Sequence, residues 1–274
     1  MIVDGAGKAV VLAAGRGTRM RCAVSGLNLT DAQRQAAAAG GKAMMPFDQP
    51  FLDYVLTALA DAGFTQVCLV VGRQATEMRR HYTQTRPPQR IKLCWAEEAE
   101  PLGTAHALLA AREFAGDDLF AVINADNYYP VDALRQLRSL RQCGLIGFNR
   151  DVMIRMGSAS AERIADYAVL QHDGTGNLQA IIEKPTHAQV SAMSPPILLS
   201  MNCWLFTPEI FDACRRIAPS IRGEYELPAA VMYGIRQQNI PFRMLVSQEP
   251  VWDLSRQTDI PGIARLLAGR EVRL

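Results

Sequence analysis

The stretch Val10-Val-Leu-Ala-Ala-Gly-Arg-Gly-Thr-Arg-Met20 changes character halfway along. From Ala9 to Ala14 every side chain is apolar, the pattern of a short strand buried on both faces of a parallel sheet. The run stops at Gly15-Arg16-Gly17-Thr18-Arg19. Glycine there admits positive φ and lets a ligand approach the main chain closely. Successive free N–H groups in such a turn form an anion-binding concavity, to which two arginines add charge and donors. An ordinary turn with solvated arginines has the same composition, so the decision rests on the rest of the chain.

Two phosphate motifs are excluded. Gly15-x-Gly17 lacks the third glycine of a dinucleotide fingerprint, because Met20 stands in its place. Gly41-Lys42 is followed by Ala43 and preceded by Ala36 where a P-loop needs Ser or Thr and Gly. With 274 residues, 49% hydrophobic and 20% charged, and a net charge of +2, the balance gives no reason to expect nucleic acid or a membrane surface as partner. No apolar run is long enough to span a bilayer, and Asp4 and several glycines stand where a signal peptide would be apolar. Six scattered cysteines with no Cys-x-x-Cys pair argue against zinc and against a disulfide framework, which predicts a reduced, cytoplasmic protein.

Downstream, apolar runs alternate with helical periodicity. A helix over Ala32 to Ala39, capped by Asp31 and ended by Gly40-Gly41, lies within the polar insertion Arg21 to Gly41. Further helices are predicted over 49–62, 74–82, 105–114 and 131–142, and strands over 66–72, 91–95, 117–125 and 144–148. Such alternation argues for a parallel sheet with right-handed crossovers. The 117–125 strand delivers Asp126-Asn127 at its carboxyl end, where open α/β sheets bind ligands. After residue 150 the pattern shifts to an antiparallel pair, 167–171 and 178–182 around Gly174-Thr-Gly176.

Seven blocks in this order resemble the sugar-1-phosphate nucleotidylyltransferases: the opening loop, Lys42-Ala-Met-Met-Pro46, Glu98-Ala-Glu-Pro-Leu-Gly-Thr-Ala105, Ala125-Asp126-Asn127, Glu183-Lys184-Pro185, Asn202-Cys-Trp204 with Gly223-Glu-Tyr-Glu-Leu227, and Trp252-Asp253. The resemblance implies an α/β, Rossmann-like three-layer fold with a mixed, mostly parallel sheet and a small antiparallel sugar-side subdomain. It implies one domain, with a nucleotide half over 1–150, a sugar-phosphate half over 151–255 and a C-terminal helix over 256–274. With nothing after Leu274, bifunctional members bearing a hexapeptide-repeat domain are not expected. Departures are Ala125 for the usual Gly, Cys203-Trp204 for smaller residues, and Ser255-Arg256-Gln257 for Gly-Thr-Pro. His81, His106, His172 and His187 match no ligand spacing and are read as structural or solvated.

By the same resemblance Arg19, Lys42, Asp126, Lys184 and Asp253 carry the chemistry, and Asp126 and Asp253 hold Mg²⁺. Leu12, Ala13, Ala14, Gly15, Gly17, Thr18, Arg19, Glu98, Gly103 and Thr104 bind the nucleotide, and Asn127, Glu183, Lys184, Asn202 and Trp204 the sugar phosphate. The substrates implied are a nucleoside triphosphate and a sugar 1-phosphate, with a homo-oligomer left open. The nucleophile would be a phosphate oxygen, ionised near neutrality because its second pKa is about 6, so no general base is required. Register with the family places Glu98 at the base. An ionised carboxylate only accepts, and guanine offers two adjacent donors, so the expectation is GTP. The alternatives are a uridylyl- or thymidylyltransferase, an enzyme acting on a cyclitol or other non-sugar phosphate, and a non-catalytic binding subunit.

Overall fold

The computed structural model describes residues 5–157 and 159–274, so Asp4 lies outside the described residues, as does the side chain of His187. The strands are β1 (Lys8–Leu12), β2 (Gln66–Gly72), β3 (Lys92–Glu98), β4 (Phe120–Asn124), β5 (Asn127–Tyr128), β6 (Gly144–Asn149), β7 (Val169–His172), β8 (Leu178–Ile182), β9 (Leu198–Phe206), β10 (Arg243–Ser247) and β11 (Trp252–Asp253). The main sheet runs β10-β6-β9-β4-β1-β2-β3, with the β7–β8 hairpin attached through β9. All pairings from β4 to β3 are parallel, as is β10 with β6, and β9 runs antiparallel between β4 and β6. This is the mixed, mostly parallel sheet that the sequence predicts, with the hairpin as its antiparallel extension.

The continuous apolar runs follow from burial on both sides. Ala9 and Val11 enter one core and Val10 the other; Val67, Leu69 and Val71 face the first and Cys68 and Val70 the second. Helices therefore cover both faces, giving three layers. Among the described residues no helix is long and apolar enough to cross a membrane.

Several predicted elements are corrected. The helix Asp31–Ala39 is capped by Thr30, not Asp31: the Gln33 main-chain N–H donates to the Thr30 hydroxyl, and the Gln33 side chain accepts from the Thr30 N–H. The helix expected over 105–114 breaks at Ala110-Ala111 into Thr104–Leu109 and Arg112–Ala115. That over 74–82 is only Thr76–Arg80 and passes into a π-turn over His81–Thr85. The π-turn has a packing cause. It carries His81, Tyr82 and the following Arg86 onto the fully buried Asp53, which accepts from the Tyr82 hydroxyl at 2.8 Å and lies 3.0 Å from His81 Nε2 and 3.3 Å from Arg86. A buried carboxylate without partners would be costly, so three donors converge on it. The C-terminal helix is confined to Ile260–Leu267, after a 3₁₀ turn over Gln257–Asp259. All six cysteines are free.

Candidate active site

The carboxyl ends of β1, β4 and β3 open into a cleft of about 980 Å³, closed on its far side by β9 and the end of β8. Of the residues singled out above, Leu12 to Gly15, Thr18, Arg19, Lys42, Glu98, Gly103, Thr104, Asp126, Asn127, Glu183, Lys184, Asn202 and Asp253 line it. Gly17 and Trp204 do not. Gly17 is buried at φ +61°, and a Cβ there would sit 2.2 Å from the Gly40 carbonyl oxygen. Its glycine therefore lets the loop over 15–19 lie on the C-cap of the helix Asp31–Ala39, facing that helix and not the cleft. Trp204 is fully buried and stacks on Phe206 in the core.

β9 is irregular between the cleft-lining Ser200 to Asn202 and the buried Trp204. Opposite β6 the pairs Leu145↔Trp204 and Gly147↔Ser200 place four steps of β9 against two of β6. Asn202 sits in this bulge at φ +53°, a conformation asparagine tolerates better than most residues. The bulge aims Asn202 into the cleft, and the Trp204 indole N–H donates to its side-chain oxygen at 3.3 Å. Beneath it the buried Tyr129 hydroxyl donates to the Met201 carbonyl at 2.6 Å, tying the segment after Asp126 to β9.

Asp126 and Asp253 come together through the smallest sheet. β5 and β11 pair antiparallel with Asp253 opposite Asn127, and the Leu254 N–H donates to the Asp126 carbonyl at 2.8 Å. Asp126 is held by the Lys42 ammonium. Asp253 is buried; it accepts from the Ser255 hydroxyl at 2.8 Å, Arg163 at 2.9 Å and the Tyr167 hydroxyl at 3.2 Å. Burial, and then the charge of Asp126, push the Asp253 carboxyl above its ordinary range. Two carboxylates brought to one end of the cleft suit a hard divalent cation. Among the described residues no group of three or more His, Cys, Asp or Glu is placed to hold a metal, so the pair would need oxygens from phosphate and water to complete a shell.

Other contacts stitch the walls together. Gly103, at φ +118°, lies so close to Tyr225 that a Cβ would meet its carbonyl oxygen at 2.5 Å. The Tyr225 N–H donates to the Leu102 carbonyl at 2.7 Å, the Ala105 N–H to the Tyr225 carbonyl at 2.9 Å, and the Leu227 N–H to the Thr104 hydroxyl at 2.9 Å. Thr104 thus caps the distant helix Leu227–Gln238 while lining the cleft. Gln257 grips the segment after the phosphate loop: its amide donates to the Met20 carbonyl at 3.0 Å and accepts from the Val24 N–H at 3.4 Å. Arg256, also on the wall, pairs with Asp166 at 2.7 Å. The Ser255-Arg256-Gln257 departure is therefore a clamp joining Asp253, Asp166 and the segment that follows the loop over 15–19. Arg163, Tyr167 and Tyr129 gave no signal in the sequence, since the bonds that tie them to the site run to partners 70 or more residues away.

Comparison with known proteins agrees with this geometry. Residues 8–252 match the family described as Nucleotidyl transferase. A glucose-1-phosphate thymidylyltransferase of Streptomyces antibioticus is 32% identical over 228 residues, 83% of this chain and 57% of that protein. The UTP–glucose-1-phosphate uridylyltransferase AglF of Haloferax volcanii is 29% identical over 84% of both. The chain spans little more than half the length of the first of these relatives. A crystal structure of UDP-glucose pyrophosphorylase complexed with UDP-glucose shares the fold, with a TM-score of 0.74 at 19% identity, over 96% of this chain and 99% of that one. With residues 8–252 matched, the chain belongs to the nucleotidyl transferase family.

Proposed function

We propose that the chain transfers a nucleotidyl group from a pyrimidine nucleoside triphosphate to a hexose 1-phosphate, releasing pyrophosphate. The observation that carries this is the convergence of Asp126 and Asp253 in one cleft between Arg19 and Lys42 on one side and Glu183, Lys184 and Asn202 on the other. The relatives' names add the choice of uracil or thymine and of glucose 1-phosphate; the guanine expectation drawn from Glu98 has no support among them.

The sugar phosphate oxygen attacks the α-phosphorus, its P–O bond forms, and the bond to pyrophosphate breaks. The work of the chain is to align these atoms and to offset charge. Arg19 and Lys42 hold the triphosphate, and Lys184 holds the incoming phosphate. Glu183 and Asn202 accept and donate to sugar hydroxyls. Magnesium, held by Asp126 and Asp253, would neutralise phosphate charge around the reacting phosphorus. Lys42 then leaves Asp126 for a phosphate, which keeps each charge paired.

Pyrophosphate release measured across four NTPs and a panel of sugar and cyclitol phosphates tests this reading. Release with UTP or dTTP and a hexose 1-phosphate is expected. No release with any pair, or release only with a non-sugar phosphate, overturns it.

A further inference from the structure

The turn after β11 closes a ring of bonds around Asp253. Arg163, from the 3₁₀ turn Ala161–Asp166, donates one terminal nitrogen to Oδ2 of Asp253 at 2.9 Å and the other to Oδ1 of Asp259. Oδ2 of Asp259 accepts from the main-chain N–H of Ser255 at 2.9 Å and of Arg256 at 2.7 Å, and the Ser255 hydroxyl returns to Asp253 at 2.8 Å. The Ser255-Arg256-Gln257 departure thus supplies two members of the ring. The two oxygens of Asp253 are not treated alike. Oδ2 accepts from Arg163, from the Tyr167 hydroxyl at 3.2 Å and from Ser255, whereas among the described residues Oδ1 accepts from Ser255 alone. Arg163 also differs from Lys42. Lys42 lines the cleft and can exchange Asp126 for a phosphate. The Arg163 side chain does not line it, is 13% exposed and is held by Asp259 as well, so it stays on Asp253 when a ligand arrives.

We propose that Arg163 is a positioning residue which, with Tyr167, engages Oδ2 of Asp253 and leaves Oδ1 as the one oxygen for a cation, so that the site selects Mg²⁺ against Ca²⁺. The proposal rests on the nucleotidyl transfer and the metal pair proposed above. Mg²⁺ is small, demands a near-ideal octahedron, and is bound through one or two carboxylates completed by phosphate and water. A carboxylate limited to one oxygen suits it. Ca²⁺ takes about 6–8 oxygens in a looser shell and commonly uses both oxygens of a carboxylate. Denied Oδ2, it loses a ligand that the chain does not replace, since among the described residues no third acidic or histidine group is placed to hold a metal. The Ser255 hydroxyl does not block Oδ1, because it bonds both oxygens and is free to keep Oδ2 alone.

The test is Mn²⁺ bound by the full chain, followed by electron paramagnetic resonance and displaced with Mg²⁺ or with Ca²⁺. Sugar phosphate is left out, and UTP or dTTP, whichever supports pyrophosphate release, is present at one fixed concentration. The nucleotide's own affinity for each cation is common to wild type and variants, so the change in the Mg²⁺-to-Ca²⁺ displacement ratio belongs to the protein. In R163M the ratio should move about tenfold toward Ca²⁺, the size of effect usual for a residue that holds a metal ligand in place. Y167F removes one donor from Oδ2 with little change of shape, and should move the ratio the same way by a smaller factor. S255A leaves Arg163 on Oδ2 and should keep the wild-type ratio. A merely structural role for Arg163 weakens both cations equally, so an unchanged ratio in R163M and Y167F overturns the proposal. If R163M lacks a cooperative melt, Y167F alone decides. A shift in S255A as large as in R163M also overturns it, since any loosening of Asp253 would then suffice. A wild-type chain that holds no Mn²⁺ beyond what the nucleotide holds by itself removes the metal pair and the proposal with it. Pyrophosphate release by the wild type reads the transfer separately from all of these.

Discussion

Single side chains in the cleft are held in costly states that a ligand would reward. Lys184 sits at φ +45°, where a side chain beyond Gly or Asn costs on the order of 1–3 kcal/mol. That conformation turns the strand end after β8 so that the ammonium reaches the cleft. Lys184→Ala should raise the KM for the sugar 1-phosphate about ten- to a hundredfold, the worth of one charge-assisted hydrogen bond, with the KM for NTP little changed. Steady-state kinetics with each substrate varied would show the split, and equal effects on both would contradict the assignment. Asp253 is more deeply embedded, with Ser255, Arg163 and Tyr167 all bonded to its carboxyl. Asp253→Asn keeps the shape and removes the charge. Turnover is expected to fall about a hundredfold or more. Mn²⁺ binding followed by electron paramagnetic resonance should weaken with it, while the melting curve stays close to wild type. Near-normal metal-dependent turnover would remove Asp253 from the site.

At the scale of elements, the phosphate loop and the insertion after it behave as one unit. Gly17 lies on Gly40, whose own left-handed geometry (φ +76°) ends the helix Asp31–Ala39, and Gln33 of that helix donates to the Pro46 carbonyl at 3.0 Å. Lys42 follows directly, so the insertion sets where its ammonium stands. Gly17→Ala would force a Cβ against the Gly40 carbonyl and a disfavoured φ, which loosens the unit by about 1–3 kcal/mol. Faster protease cleavage between residues 20 and 41 and a higher KM for NTP are expected together. A normal KM with a normal cleavage rate would show that the two segments are not mechanically joined. This coupling was half legible: the glycines announced a special backbone, and the Ala-rich stretch a helix with a glycine stop. Nothing in the sequence says that Gly17 and Gly40 touch, so Gly17 read as a ligand contact. Trp204 was misplaced for a different reason. Alternation holds along β9, with Met201, Cys203 and Leu205 in one core and Leu198, Trp204 and Phe206 in the other, so Trp204 shares the side of Asn202 but lies in the packed core beyond the cleft.

Across the whole molecule, the strands of the parallel part and the residues at their carboxyl ends were legible because burial on both faces leaves unbroken apolar runs and ligands collect where those runs end, whereas the order of the strands within the sheet was not. Less legible was what supports the ends, because Arg163, Tyr129 and Gln257 gain their roles from partners far along the chain. The placement of β9 between β4 and β6 bears on biogenesis. During synthesis β4 and β6 are complete long before β9, yet neither has a neighbour on that side until Phe206 has emerged. For that interval two apolar strand edges stand open, each able to recruit another chain. The half ending at residue 150 is consequently not a stand-alone nucleotide-binding unit. A fragment of residues 1–150 is expected to elute as aggregates in size-exclusion chromatography and to lack a cooperative melt, and a soluble fragment that melts cooperatively would contradict this. Nascent chains halted before residue 198 should likewise bind a holdase chaperone, and those extended past the helix Leu227–Gln238 should let it go.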